Sequence, residues 1–430
     1  MEYAEGKIKL LKLRKYCPMT KKTKKEKPPT YERSSRHSTK FANKNKLHKL
    51  SKFILEYQKV VQYYIDLLWN NLKEDMKSPR FVSTKDTQCK TNLYGRAIKC
   101  AATQAAGIVR SVTEKYRKKL YIKELLIKEG KDYNKIQSWL DNHKATKPVA
   151  SPECHLNSIC SNIKESKNFY FVQLNSLGKE FGDINLPIKF HKQSNKWKGK
   201  GKLLNGIIVK QDTIQLCWEM LKKVKTEGTI EGADQGKLTC LTLSDQQFTP
   251  KNKQGQDLSF IMDKLARRKK GSKGFKRAQE HRFNYINWSI NQLNLTNIKQ
   301  INLEEVINIP KLSRLMTHWC NPLIRDKVLM TCEEREVLAK LQSCAFRSQR
   351  CSHCGLVLKA NRRGKIYCCS GCGHNDDADF NASCNHKAEL PDVPEFLRRS
   401  GFNKTGFYWL ENGFFDMNGN EITERYTNKN

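Results

Sequence analysis

Residues 351–381 read C-S-H-C-G-L-V-L-K-A-N-R-R-G-K-I-Y-C-C-S-G-C-G-H-N-D-D-A-D-F-N. Cys351 and Cys354 form one Cys-x-x-Cys pair, Cys369 and Cys372 a second, with fourteen residues between them. That spacing predicts a four-thiolate zinc site. Cys368 competes with Cys369, but only Cys369 stands at Cys-x-x-Cys spacing from Cys372. Four thiolates leave no open coordination position, so the zinc is structural. Asp376, Asp377 and Asp379 follow within seven residues of Cys372. Clustered carboxylates repel one another unless a cation or a basic partner lies between them. The ribbon therefore positions an acidic group.

Two further acidic motifs lie upstream. Asp234 sits in G-A-D-Q-G at 232–236, where the glycines let backbone or substrate approach closely. An Asp at a strand turn is ordinarily a turn residue. Glu304 and Glu305 interrupt the apolar run I-N-L-E-E-V-I-N-I at 301–309. Burying an unpaired charge there is costly, and a metal ion would offset the cost. Together the three motifs fit a two-metal site. Hard divalent cations take oxygen ligands, and two of them ~4 Å apart can clamp the attacking and leaving oxygens of a phosphodiester.

Composition points the same way. The chain has 430 residues, 80 Lys+Arg against 43 Asp+Glu, and a formal charge of +37. Such an excess predicts a polyphosphate partner. No apolar run approaches the ~18–20 residues of a spanning helix, and the start M-E-Y-A-E-G-K lacks the apolar region of a secretory leader. A cytoplasmic chain without membrane association is expected, nucleoid-associated when bound to DNA. The 16 cysteines then read as thiols, four of them metal ligands.

The expected layout is multidomain, mixed α/β and β. Residues 7–16 alternate apolar and basic side chains like a half-exposed strand. Residues 51–73, 93–125 and 131–141 have helical periodicity, the second with an alanine face flanked by Arg96, Lys99, Arg110, Lys115, Arg117, Lys118 and Lys119. Strands are expected at 169–174, 184–190, 203–209 and 214–220, closing into a small barrel completed by the N-terminal strand. Trp197, in K-W-K-G-K-G-K at 196–202, reads either as a base-stacking residue or as edge packing. Beyond Thr229 the pattern is an α/β nuclease-type core: a β-hairpin start, one long basic helix over 258–295, a strand over 298–309, a helix over 327–336 and a strand over 337–342. Asn412-Gly413 and Asn418-Gly419 predict a C-terminal hairpin.

These motifs match a known order. Gly232-Ala233-Asp234-Gln235-Gly236, Leu303-Glu304-Glu305, the run Phe346–Gly355 and Asp379-Phe380-Asn381-Ala382-Ser383 resemble the split RuvC nuclease of TnpB proteins. They equally resemble the miniature type V CRISPR effectors (the Cas12f-like group). The match is strong over residues 230–386 and elsewhere extends only to layout. The resemblance implies an RNA-guided DNA endonuclease whose partners are a guide RNA and double-stranded target DNA with a short flanking motif. It implies Asp234, Glu304 and Asp379 as catalytic ligands of magnesium or manganese, with Glu304 preferred to Glu305. It makes Cys351, Cys354, Cys369 and Cys372 the zinc ligands. Residues 1–20 and 160–225 become a wedge-type β-barrel holding guide RNA, 21–159 an inserted helical recognition domain, 226–345 and 374–388 a RuvC-like (RNase H-type) core, 346–373 the zinc ribbon, and 389–430 a tail. Two departures stand out. Ala233 replaces an aliphatic residue, and D-D-A-D-F-N-A-S-C-N-H replaces the usual D-R-D-x-N-A-A-x-N-I. Neither removes a carboxylate. Relatives that lost these acids act as RNA-guided repressors, so a DNA-binding regulator without cleavage is the alternative. A guide-independent zinc-ribbon binder would need neither the helices nor the acids. Metal analysis checks the ribbon: freshly purified protein should carry one zinc per chain, and less than half an equivalent would refute the four-thiolate site.

Overall fold

The structure is a computed structural model and describes residues 28–79, 82–85, 87, 89–143, 145–166, 169–306 and 317–423. The chain forms two compact units, Met1–Leu221 and Lys222–Asn430. Its class is mixed α/β and multidomain.

In the first unit, β1 (Thr30–Ser38) pairs antiparallel with β7 (Thr213–Leu221) along its whole length. With β6 (Lys202–Val209) and β2 (Cys154–Leu156) they make a sheet of order β1-β7-β6-β2. A second sheet holds β3 (Ser161–Glu165), β4 (Tyr170–Leu174) and β5 (Ile184–Ile188). The alternation of β4 and β7 sends every second side chain into the core. Helices α1 (Lys44–Asn70) and α2 (Gly95–Lys128) pack on these strands in one apolar cluster. Ala97, Ala101 and Ala105 are fully buried, and a face without side-chain bulk lets α1 approach α2. The short α3 (Asn134–Asn142) packs on α2.

Two expectations need correction here. No barrel closes among the described residues; the strands lie in two separate open sheets, with β1 and β2 as the free edges of the larger one. The helical block is not all helix from residue 21, because Thr30–Ser38 is the strand that pairs with β7. The strand expected at 7–16 lies outside the described residues. Of the two readings of Trp197, packing is the one observed: it lies in α4 (Lys192–Lys198), 2% exposed against Trp218 and Met220, so no base can stack on it.

In the second unit a sheet of order β11-β10-β8-β9 forms the centre. Strands β8 (Thr229–Asp234), β10 (Ile298–Glu305) and β11 (Leu338–Ser343) run parallel, and the short β9 (Thr242–Leu243) is antiparallel to β8. The expected single basic helix is two, α5 (Leu258–Ala266) and α6 (Lys273–Asn291). Gly271 between them takes φ +84°, and Ser272 caps α6 by accepting from the Phe275 amide. Helix α7 (Asn321–Glu334) precedes β11. A small ribbon follows, with β12 (Leu356–Val357), β13 (Arg362–Arg363), β14 (Ile366–Cys368) and β15 (Asn375–Asp377). Helix α8 (Ala378–Lys387) leaves β15 directly and lies across β8. The C-terminal hairpin is present as β16 (Phe407–Leu410) and β17 (Gly413–Phe415), with β16 pairing β12 of the ribbon.

The approach of α8 to β8 is unusually close. A Cβ on Gly232 would lie 2.0 Å from the Ser383 carbonyl oxygen and 2.3 Å from the Lys387 nitrogen, both backbone. Gly232→Ala must therefore push the helix away. It should lower the unfolding free energy by about 3 kcal/mol, seen as a lower denaturation midpoint in urea.

Candidate active site

Asp234 ends β8 and Glu304 lies next to the end of β10. The two strands are parallel neighbours with Ala233 opposite Leu303, so both acids leave the sheet at the carboxyl edge, where open α/β sheets bind ligands. Asp379 comes from the first turn of α8. Asp377 caps that turn, its Oδ1 accepting from the amides of Asp379 (2.9 Å) and Phe380 (3.0 Å). All three acids line one cavity of 350 Å³, together with Arg362, Lys365 and Trp319. Asp234 and Asp379 are buried. Glu305, the neighbouring acid, is not among the residues lining this cavity.

The cavity is electrostatically strained. Burial raises the Asp234 carboxyl well above the usual carboxylate range, and the charges of Glu304 and Asp379 add to the shift. Burial pushes Glu304 up to about 7, opposed by the Gln235 amide, which donates to Oε2 at 3.3 Å. Asp379 has cationic partners: Arg362 Nη2 lies 3.0 Å from Oδ1, and Lys365 Nζ pairs with Oδ2. A group of donors all within 4.8 Å of one another is formed by Asp234, Glu304 and His386. Oxygen donors gathered this tightly suit a divalent cation.

The four cysteines also converge. Sγ of Cys351 lies 3.7 Å from that of Cys372, and Sγ of Cys354 lies 3.6 Å from that of Cys369. All four sulfurs fall within 4.8 Å of one another. A tetrahedron with metal–sulfur bonds of ~2.3 Å has edges of ~3.8 Å, so the thiol set fits a tetrahedral metal. The hairpin of β13 and β14 lies between the two pairs in sequence, and it carries Arg362 on β13 and Lys365 in its turn to Asp379. The ribbon is bolted to α8 as well. Asn381 accepts from the Ser352 amide at 2.9 Å and donates to the Arg350 carbonyl at 2.8 Å. Asn385 Oδ1 accepts from Arg350 at 2.6 Å, and its amide donates to the carbonyls of Arg347 and Arg350.

The structure thus brings together the acids read from sequence, Asp234, Glu304 and Asp379, and the cysteines 351, 354, 369 and 372. Sequence reasoning missed Arg362, Lys365 and His386. His386 stands seven residues after Asp379, two turns along the same helical face, and that spacing was a usable signal. The two cations sit in a basic ribbon loop with no mark to separate them from their neighbours.

Comparisons with known proteins bear on the same region. Residues 324–386 match the family model described as Cas12f1-like, TNB domain. A curated relative, the CRISPR-associated endodeoxyribonuclease Cas12f1 of Sulfoacidibacillus thermotolerans, is 30% identical over 102 residues, 23% of this chain and 24% of that protein. The match therefore spans about a quarter of the relative's length. Among solved structures, a Cas12f1-sgRNA-target DNA complex covers 84% of this chain and 99% of its own at 12% identity and a TM-score of 0.40. The mini-RNA-guided endonuclease CRISPR-Cas phi3 covers 84% and 93% at 8% identity and a TM-score of 0.46. The resemblance to the miniature type V effector and TnpB-like family is supported by the domain match and the curated relative. Among the described residues, no helix is long and apolar enough to cross a membrane.

The raised Glu304 gives a pH signature to the metal-free protein. Its carboxyl moves from 4.5 to about 7 on folding, so the folded state holds the proton more tightly. That contribution to stability is complete below about pH 4.5 and is lost as pH rises through about 7. Thermal denaturation in chelator should show a melting temperature that falls between about pH 4.5 and about pH 7 and levels off above. Millimolar divalent cation should remove the fall.

Proposed function

We propose that this chain is an RNA-guided DNA endonuclease of the TnpB or compact type V effector kind, with a RuvC-like metal-dependent site. The observation that carries the reading is the meeting of Asp234, Glu304 and Asp379 from β8, β10 and α8 in one cavity beside Arg362 and Lys365. The relative's printed name, an endodeoxyribonuclease, supports DNA as the substrate. The net charge of +37 supports a folded guide RNA as the second nucleic-acid partner. In this reading the sheets of the first unit, with 1–20 and 160–225, act as the wedge that holds guide RNA. The helices within 21–159 act as the recognition domain. Residues 226–345 and 374–388 form the nuclease, 346–373 a zinc ribbon that contacts target nucleic acid, and 389–430 a tail whose hairpin extends the ribbon sheet. The protein works in the cytoplasm of a bacterial or archaeal cell.

The carboxylates of Asp234, Glu304 and Asp379 hold magnesium or manganese, and Cys351, Cys354, Cys369 and Cys372 hold zinc. Two bound divalent cations would activate the attacking water and neutralise the leaving oxygen. The chain's own residues do the rest. Gln235 orients Glu304, its amide donating to Oε2 and its side chain to the Glu304 carbonyl at 2.8 Å. Arg362 and Lys365 place positive charge at the cavity, where they restrain Asp379 and can receive the scissile phosphate. Trp319 donates to the Gly236 carbonyl at 3.2 Å and fixes the turn after Asp234.

Retention of all three acids favours cleavage over the alternative, an RNA-guided DNA-binding regulator. Transposon or CRISPR origin is a property of the RNA, which sequencing of co-purified RNA identifies. Asp234→Ala and Asp379→Ala should each lower DNA cleavage at least about a thousandfold with target binding unchanged, in a gel assay with guide RNA and magnesium. Glu304→Ala should behave alike and Glu305→Ala should not. A chain that cuts without added or co-purified guide would overturn the RNA-guided reading.

A further inference from the structure

We infer that His386 is a nitrogen ligand in the divalent-cation site formed with Asp234 and Glu304, which makes that site a mixed oxygen–nitrogen one. The inference rests on reading the two acids as cation ligands. Four observations on the second unit carry it.

First, a ring nitrogen of His386 and carboxylate oxygens of Asp234 and Glu304 all lie within 4.8 Å of one another. Second, the ring is 1% exposed, so it does not serve the surface. Third, its Nδ1 lies 3.2 Å from Oε1 of Gln342 on β11. With the Gln342 amide oxygen as acceptor, Nδ1 carries the proton and Nε2 is the nitrogen with a free lone pair. A ligating histidine is commonly oriented in this way, its second nitrogen donating to a fixed acceptor. Fourth, the helix is held at this height: the Asn302 side chain donates from Nδ2 to the His386 carbonyl at 2.9 Å, and Gly232 clears the space beneath.

An imidazole donor moves a carboxylate site away from magnesium and toward manganese and the later transition metals. The site should therefore discriminate between Mn²⁺ and Mg²⁺ more sharply than carboxylates alone.

The test is pulsed electron paramagnetic resonance of Mn²⁺ bound to the full chain, purified with the RNA it retains and grown with ¹⁵N-labelled histidine. Bases of the RNA remain ¹⁴N, so a ¹⁵N coupling reports only protein histidine. The expected result is a ¹⁵N coupling that disappears in Asp234→Ala and in His386→Ile. His386→Ile should also weaken Mn²⁺ binding about tenfold while leaving Mg²⁺ binding within about twofold. Gln342→Leu, which keeps the ligand and removes its orienting acceptor, should weaken Mn²⁺ binding by a smaller factor, and it serves if His386→Ile fails to fold. Mn²⁺ held by Asp234 without any ¹⁵N coupling overturns the ligand assignment and leaves the acidic site standing. Absence of an Asp234-dependent Mn²⁺ site overturns both.

Discussion

Three carboxylates confined to one small cavity repel one another, and much of the second unit answers that repulsion. Asp234 and Glu304 are driven toward their protonated forms by burial, while Asp379 is given two cations. The arrangement is unfavourable in isolation and becomes favourable when positive charge enters. Each acid arrives on a different element, so no local sequence choice can relax the cluster. Only the tertiary fold holds it, through parallel pairing of β8 with β10 and the seating of α8.

The ribbon belongs to that same assembly. Its hairpin carries Arg362 and Lys365 to Asp379, and its first Cys-x-x-Cys loop is tied to α8 by Asn381 and Asn385. Arg347 and Arg350 are buried in the joint, donating chiefly to carbonyls and to Asn385. Arg347 also lies over the Trp409 ring at 5.1 Å. Four thiolates would leave a dication with net charge −2, and the buried Arg350 guanidinium lies beside Cys351 and Cys354 to offset it. The C-terminal hairpin supplies the Trp409 carbonyl that receives Arg350 at 2.8 Å. The tail thus has a structural part in the joint.

Much of this was legible. Two Cys-x-x-Cys pairs, an acid between glycines and an acid pair inside an apolar strand each break a local rule of burial or charge, and such breaks mark sites. The long helices were plain from their apolar periodicity. What was not legible has physical causes. Thr30–Ser38 reads T-Y-E-R-S-S-R-H-S, too polar to announce a strand, because it lies at a sheet edge with alternate residues exposed. The break at Arg267–Ser272 was hidden by basic residues that suit a helix, and Gly271 and Ser272 ended it. Trp197 lay among lysines and glycines, which suggested solvent, yet α4 turns its ring inward onto Trp218. His386 ended a motif already explained by its first residue, so the seven-residue spacing that sets it on the face of Asp379 went unused.

The contact at Gly232 sets a tolerance. Side chains have rotamers and can absorb errors of half an ångström, but main chain resting on main chain cannot. The height of α8 above the sheet is therefore a hard stop, and Asp379 and His386 inherit their distance from Asp234 through peptide geometry alone. Variation around the cavity can change charge, hydration or donor type without changing the gauge of the site. The spacing of the acids across the cavity is written into a missing methyl group.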